Sequence, residues 1–141
     1  MNYFLLTFAC LFIASEVVLA KPGDFHTAVR EKCFAETGME HESEDAAYFA
    51  NPKVKSYLRC FFEGKHLFRE NGDFDTAGFL VLINDDDTVR AGTKPLAEKC
   101  VKEHSKIEDR REMSYEVMKC FFEGYPAIFP HMGIFEPSRG W

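Results

Sequence analysis

The chain has 141 residues, with 17 Lys or Arg against 23 Asp or Glu, and therefore a formal net charge of −6. Scattered lysines in an acidic chain disfavour nucleic acid and anionic membrane surfaces as partners. The length fits a single domain. Apart from the amino terminus, no apolar segment is long enough to span a bilayer, so we expect no stable membrane association.

The first twenty residues have the pattern of a signal peptide. Residues 4–13 are an apolar run, and residues 18–20 (VLA) resemble a signal-peptidase site, although no Lys or Arg precedes Lys21. A membrane anchor is the alternative, but the run breaks at residues 15–16 and is short for a span. We therefore predict a signal peptide at residues 1–20 and one mature, secreted domain at residues 21–141. Its net charge is −5, because Glu16 leaves.

The cysteines predict a disulfide framework. Of the five, Cys10 lies in the predicted signal peptide, and Cys33, Cys60, Cys100 and Cys120 remain. An even number in a small secreted chain is typical of bridges, each stabilising the fold by on the order of 3 kcal/mol. Four cysteines allow three pairings, and their spacing does not choose among these.

Hydrophobic periodicity and capping residues predict six helices. In chain order they are residues 24–36, 43–50, 53–64, 76–83, 93–107 and 109–122. Asp24 is expected to cap the first helix and Thr93 the fifth, with Pro95 in the first turn of the latter. Gly38 ends the first helix, and Gly64 is suited to a left-handed cap at the end of the third.

The fourth of these segments is also compatible with a strand. Residues 79–83 (FLVLI) are apolar on all sides, which fits a buried strand as well as a buried helix. No second strand is available to pair with it, so we predict a short buried helix and an all-α fold.

The third helix has the clearest amphipathic pattern. Its apolar residues follow the i, i+3, i+4, i+7, i+8 spacing, at Val54, Tyr57, Leu58, Phe61 and Phe62. Cys60 lies about 120° from the centre of that face, so its sulfur should point sideways to a neighbouring element. The same five residues, CFFEG, occur at positions 60–64 and 120–124, which we interpret as one local solution used twice.

The carboxyl-terminal segment, residues 127–141, is unusually apolar for a chain end. It contains Ile128, Phe129, Ile134, Phe135 and Trp141 among Pro and Gly residues. Left free, it would expose apolar surface, so we expect it to fold back onto the helices.

Twelve of the 15 Phe residues fall outside the predicted signal peptide. At apolar helix positions they fit a solid core, in which each buried ring contributes roughly 1.5–3 kcal/mol. They equally fit an aromatic cavity for an apolar ligand. Tyr57, Ser56 or Tyr115 could then orient that ligand.

The chain carries no pattern for catalysis or metal binding. Its five histidines lack zinc-site spacing, and residues 85–87 (DDD) lack the Gly and Glu of an EF-hand, which indicates a solvated loop. There is no serine-hydrolase elbow, no zinc-protease motif and no P-loop. We therefore expect no enzyme, no cofactor and no metal. His131, in the apolar tail, is one candidate for a pH effect on that tail.

Taken together, these features resemble the insect odorant-binding proteins, the general-odorant and pheromone-binding superfamily. The resemblance covers the whole mature chain. Members usually have six cysteines, with three residues between the second and the third and eight residues between the fifth and the sixth. Cys60 matches the third and Cys120 the sixth, so Ser56 and Arg111 stand where two mutually bonded cysteines would be. In lacking both of these cysteines together, the chain resembles the four-cysteine Minus-C subgroup.

The resemblance implies the pairing Cys33–Cys60 and Cys100–Cys120, and six helices around an apolar cavity. It also implies a secreted carrier that binds and solubilises a small hydrophobic molecule, such as an odorant or pheromone. The carrier would be a monomer or weak dimer, with a chemosensory receptor as a further partner. Inward helical phase and the tail together give these candidate ligand-binding residues: Leu58, Phe62, Phe79, Leu82, Val117, Met118, Phe122, Phe129 and Phe135.

Two other functions remain open from the sequence. One is a secreted helical signalling or structural protein with a solid core, acting through its surface. The other keeps the carrier but places it in saliva, venom or seminal fluid as a ligand scavenger. A core with an empty cavity would favour the carrier over the signalling or structural protein. The tissue of expression would distinguish an olfactory carrier from a scavenger.

Overall fold

The computed structural model describes residues 26–83 and 87–137. Within these ranges, only the backbone is described for residues 83 and 87–90. Within those ranges the fold is all-helical and has no named strand, as predicted. The six α-helices and one 3₁₀ helix are α1 Thr27–Thr37, α2 Asp45–Ala50, α3 Val54–Gly64, α4 Thr76–Ile83, α5 Asp87–His104, α6 Arg110–Gly124 and the 3₁₀ helix Pro126–His131. The predicted signal peptide, the Asp24 cap and Trp141 lie outside the described residues.

Helix α5 differs most from its prediction. It begins at Asp87, six residues before the expected cap, so Thr93 and Pro95 lie inside the helix. The predicted loop therefore does not reach Asp87, and its other residues, 85 and 86, lie outside the described part. A proline within a helix removes one backbone hydrogen bond. Packing of α5 against both α4 and α6 compensates for that loss, and periodicity in one segment cannot reveal such packing.

The ends of α1 and α3 use glycine in different ways. Gly38 follows α1 with φ 64°, the left-handed cap that usually requires glycine. The left-handed prediction for Gly64 is wrong, because the positive-φ glycines of the described residues are elsewhere and His66 has φ 57°. Gly64 permits close approach instead: an added Cβ would lie 2.8 Å from Cγ1 of Val29.

The first disulfide joins α1 to α3 beside that close approach. Cys33 bonds Cys60, with 5.7 Å between their Cα atoms. Val29 lies one turn before Cys33 in α1, and Gly64 lies one turn after Cys60 in α3. The bridge and the bare glycine therefore lie side by side along an antiparallel helix pair, and we call this arrangement a disulfide–glycine contact.

The second disulfide repeats the arrangement between α5 and α6. Cys100 bonds Cys120, again with 5.7 Å between the Cα atoms. Leu96 lies one turn before Cys100, and a Cβ added at Gly124 would lie 2.6 Å from its Cδ1. Both predicted disulfides are confirmed, and the CFFEG repeat corresponds to two equivalent disulfide–glycine contacts.

Helices α3 and α6 form the most extensive helix–helix contact among the described elements. The predicted apolar face of α3 is buried throughout, with exposures of 0–2%. The buried face of α6 consists of Met113, Ser114, Val117, Met118 and Phe121. No described helix is both long enough and apolar enough to cross a membrane.

The tail folds back onto these helices, as predicted. Its apolar side chains are 1–2% exposed at Ile128, Phe129, Met132, Ile134 and Phe135. With them, every methionine after Met1 belongs to the buried core. The tail is therefore one wall of the interior.

We predict that Gly64→Ala destabilises the fold by about 1–3 kcal/mol, because the new methyl group overlaps Val29. The measurement is the free energy of unfolding in denaturant. Adding Val29→Ala makes room for the methyl group, so the double variant should be more stable than the sum of the two single effects predicts.

Gly92→Ala is the matched control, because Gly92 lies within α5 with no atom within 4 Å of an added Cβ. It should stabilise the protein by about 0.5–1 kcal/mol, the usual gain of Ala over Gly inside a helix. Additive effects of Gly64→Ala and Val29→Ala would contradict the close-approach explanation.

Candidate functional site

The nine candidate ligand-binding residues lie on α3, α4, α6 and the tail. Eight of them are 0–4% exposed, and Phe122 is half-buried. Leu58, Val117 and Met118 are fully buried on the facing helices α3 and α6. The inward orientation predicted from helical phase is therefore found, whereas an open cavity among these residues stays a prediction.

Two of the candidates belong to an aromatic cluster next to α4. We call it the α4-side cluster, and its members are Phe62, Phe68, Phe74, Phe79 and Phe121. Phe79 is in contact with both long helices, with ring centroids 6.0 Å from Phe62 of α3 and 5.5 Å from Phe121 of α6. Phe68 and Phe74 pair in an isolated β-bridge, and both pack against the ring of Phe62.

Three other candidates belong to a second cluster beneath the tail. We call it the tail-side cluster, and its members are Tyr48, Phe49, Phe122, Phe129 and Phe135. Phe49 of α2 lies at its centre, 5.0 Å from Phe122 and 5.7 Å from Phe129. Tyr48 stacks on Phe135 with centroids 4.2 Å apart.

Helix α6 supplies one ring to each cluster, through the consecutive residues Phe121 and Phe122. Neighbouring residues on a helix point about 100° apart, so the two rings face different parts of the interior. The structure thus places the aromatic candidates in two clusters.

Two buried donors hold the backbone of the tail. The Tyr57 hydroxyl donates to the carbonyl of Ile134 at 2.5 Å, and the Arg30 guanidinium donates to the carbonyl of Gly133 at 3.2 Å. Arg30 is only 5% exposed. Burial raises the pKa of Tyr57 far above its usual value, so its hydroxyl keeps the donated proton at physiological pH.

A carboxylate holds the end of the tail on its other side. Glu136 accepts a hydrogen bond from the Tyr48 hydroxyl, and its Oε1 lies 2.8 Å from Nδ1 of His41. Burial raises the pKa of Glu136, but these two hydrogen bonds and the charges of His41 and Arg30 outweigh burial. The net result is a pKa below the usual value of a glutamate.

The polar residues proposed to orient a ligand have other roles. Tyr57 holds the tail, and the Tyr115 hydroxyl donates to the carbonyl of Phe49 at 3.3 Å. Ser56 is exposed on α3. Helical phase places Ser114 on the apolar face of α6, and in the structure its hydroxyl is fully buried there.

Two surface concavities of the described residues are lined largely by charged side chains. One, of about 550 Å³, lies between α2 and the tail and is lined by Glu42, Glu44, Asp45 and Glu136 among others. Another contains Glu103, His104 and Cys120 close together. The Cys120 sulfur is already in a disulfide, so this group does not form a metal site.

His26 is the most deeply buried of the five histidines. It is 6% exposed, and its ring lies edge-on to Phe61 with centroids 5.6 Å apart. His131 is half-buried in the 3₁₀ helix, and its effect on the tail stays a prediction.

We predict that Glu136→Gln destabilises the protein near neutral pH but has little effect in acid. A lowered folded-state pKa contributes stability that is fully present above the ordinary value of 4.5 and is lost as pH falls through the folded value. The measurement is the unfolding midpoint of the wild-type protein and of Glu136→Gln, from neutral pH to well below pH 4.5. The exposed Glu40→Gln is the control, and a difference independent of pH would contradict this role.

Comparison with known proteins gives one match. The model of the PBP/GOBP family matches residues 24–124, which include all six α-helices and both disulfides. No curated protein and no solved structure matches the chain.

Proposed function

Because the chain belongs to the PBP/GOBP family, we propose that it is a secreted carrier for a small hydrophobic ligand. The observation that carries the proposal is the extent of the family match, which covers all six α-helices. The carrier solubilises its ligand by transferring apolar surface from water into a protein interior. The chain performs no catalysis in this proposal, and all four cysteines of the described residues are in disulfides.

The ligand site of the proposal lies between α3, α4, α6 and the tail. Its lining consists of the nine candidates: Leu58, Phe62, Phe79, Leu82, Val117, Met118, Phe122, Phe129 and Phe135. Buried Met113, Met118 and Met132 add unbranched, polarisable side chains that can adjust to different shapes. Such an interior can open around a ligand while the two disulfide–glycine contacts keep the helix pairs in place.

The tail is the wall that moves in this proposal. Among the described residues, its contacts to the helices combine apolar packing with a few hydrogen bonds from Tyr57, Arg30 and Tyr48. Its disulfide-free attachment distinguishes it from α1, α3, α5 and α6. A segment held in this way can detach and return without unfolding the helices.

Secretion is also part of the proposal. Two disulfides between described helices are typical of an oxidising extracellular compartment, and residues 1–20 would be the signal that directs export. A chemosensory receptor, a scavenging role in another fluid and the monomeric or weakly dimeric state stay predictions.

We further propose that the chain belongs to the four-cysteine Minus-C subgroup. Ser56 and Arg111 take the two missing positions and are exposed on α3 and α6. Between the same helices, Lys55 forms an ion pair with Glu112, with Nζ 2.6 Å from Oε2. Lys55 directly precedes Ser56, and Glu112 directly follows Arg111. The ion pair therefore joins the two helices next to the positions where six-cysteine proteins of the family have a disulfide.

We predict that a fluorescent naphthylamine probe binds near one per chain and is displaced by apolar competitors. Burying the probe in a ring-lined site raises its fluorescence, and the titration end point gives the stoichiometry. Met118→Trp should weaken binding by filling the site. Gly92→Ala, on the exposed side of α5, should leave it unchanged. A well-folded chain that binds no probe would favour the solid-core signalling protein.

We predict that Ser56→Cys with Arg111→Cys forms a third disulfide under oxidising conditions. Ser56 and Arg111 are the chain neighbours of Lys55 and Glu112, whose ion pair places this part of α3 beside this part of α6, and a disulfide requires Cα atoms less than about 7 Å apart. Mass spectrometry of the alkylated protein counts the free thiols. Two free thiols in the oxidised variant would show that the alignment of α3 with α6 to the six-cysteine pattern is wrong.

A further inference from the structure

Ser114 is a buried hydroxyl on α6, on the same face of the helix as the candidate ligand-binding residues Val117 and Met118. Its exposure is 0%, like that of Val117, Met118 and Phe121. At about 100° per residue, Ser114 lies between Phe121 and Met118 around the helix axis, roughly 20° from the first and 40° from the second. It is therefore inside the buried face, away from its edges.

The hydrogen bond of Ser114 fixes which chemistry it can offer. Its Oγ donates to the carbonyl of Arg110, one turn earlier, at 2.6 Å. A serine hydroxyl has one donor and two acceptor lone pairs. Because the proton points along the helix to Arg110, the lone pairs of Oγ are directed away from that carbonyl and can accept a hydrogen bond from a partner.

We propose that Ser114 makes this carrier selective for ligands with a hydroxyl group, and that the ligand class is small, uncharged, apolar alcohols. The ligand hydroxyl donates to Oγ of Ser114, while its hydrocarbon part packs against Val117 and Met118. This proposal deepens the proposed function and rests on it, because it assigns the polar contact within the same ligand site.

The same geometry discriminates against related ligands. Ethers, ketones and aldehydes have only acceptors, and Oγ has already committed its proton to Arg110. Binding them through Ser114 would break that bond without replacing it. A carboxylate would bring a charge into an apolar interior, where its desolvation is unfavourable unless a cation pairs with it. Arg30, buried on α1, already donates to the tail carbonyl of Gly133.

Among the other buried hydroxyls of the described residues, that of Tyr48 donates to the carboxylate of Glu136, and two more compete for this role. Tyr57 donates to Ile134 of the tail and therefore lies against the moving wall. Thr93 is 1% exposed on α5. The Ser114 assignment rests on its central position among the α6 candidates, and each of the other two residues provides an arm of the test.

The test compares a linear ten-carbon primary alcohol with its methyl ether, both displacing the naphthylamine probe from the full mature chain. One hydrogen bond lost or gained changes the dissociation constant by about three- to tenfold. The wild-type protein should bind the alcohol tighter by that factor. Ser114→Ala should remove the preference by weakening only the alcohol, so affinity for the ether checks that the site is intact.

Three further variants make the result specific. Tyr57→Phe and Thr93→Val should keep the preference for the alcohol, whatever they do to overall affinity. Ser105→Ala, an exposed serine just after α5, is the matched control and should change neither dissociation constant. Loss of the preference in Tyr57→Phe or Thr93→Val but not in Ser114→Ala would overturn the assignment.

The outcomes also separate this inference from the proposed function. If the probe does not bind the folded wild-type chain, the carrier function fails. If the probe binds and the alcohol and ether compete equally well, the carrier function stands and the role of Ser114 is wrong.

Discussion

Two disulfides, each beside a glycine, determine how closely the helices approach. Cys33–Cys60 ties α1 to α3, and Cys100–Cys120 ties α5 to α6. In each pair, Gly64 or Gly124 removes the side chain that would push the helices apart one turn away. The two pairs meet where α3 packs on α6. The rest of the interior, including α4 and the tail, fills the space that these pairs leave, so its side chains can rearrange without loosening the covalent frame.

The disulfide-bonded helix pairs form a frame, and the aromatic clusters and the tail fill the space that it leaves. In the proposed carrier, these two parts have different roles. The frame contributes Leu58, Val117 and Met118 from α3 and α6, which are fixed by the disulfide-bonded pairs. The filling contributes aromatic rings in two clusters and a tail held by hydrogen bonds. A carrier needs both parts, because a rigid shell maintains solubility while an adaptable interior accepts the ligand.

The sequence predicts the parts of this fold that depend on local periodicity. The buried face of α3 and the return of the tail follow from apolar spacing and composition alone, and the disulfide pairing followed from the family resemblance. The start of α5 could not be predicted, because Thr93 and Pro95 resemble a helix start and only packing against α4 and α6 extends the helix beyond them. Likewise, the division of the rings into two clusters depends on how α6 is oriented among its neighbours.

The attachment of the tail has a consequence for how such carriers can diversify. Tyr57 and Arg30 donate to the backbone carbonyls of Ile134 and Gly133, and a carbonyl is the same whichever side chain its residue carries. These two hydrogen bonds therefore do not depend on which side chain residue 134 carries. In the proposed carrier, the apolar side chains of this wall can therefore be exchanged, and the fit to a ligand changed, while the backbone attachment stays intact.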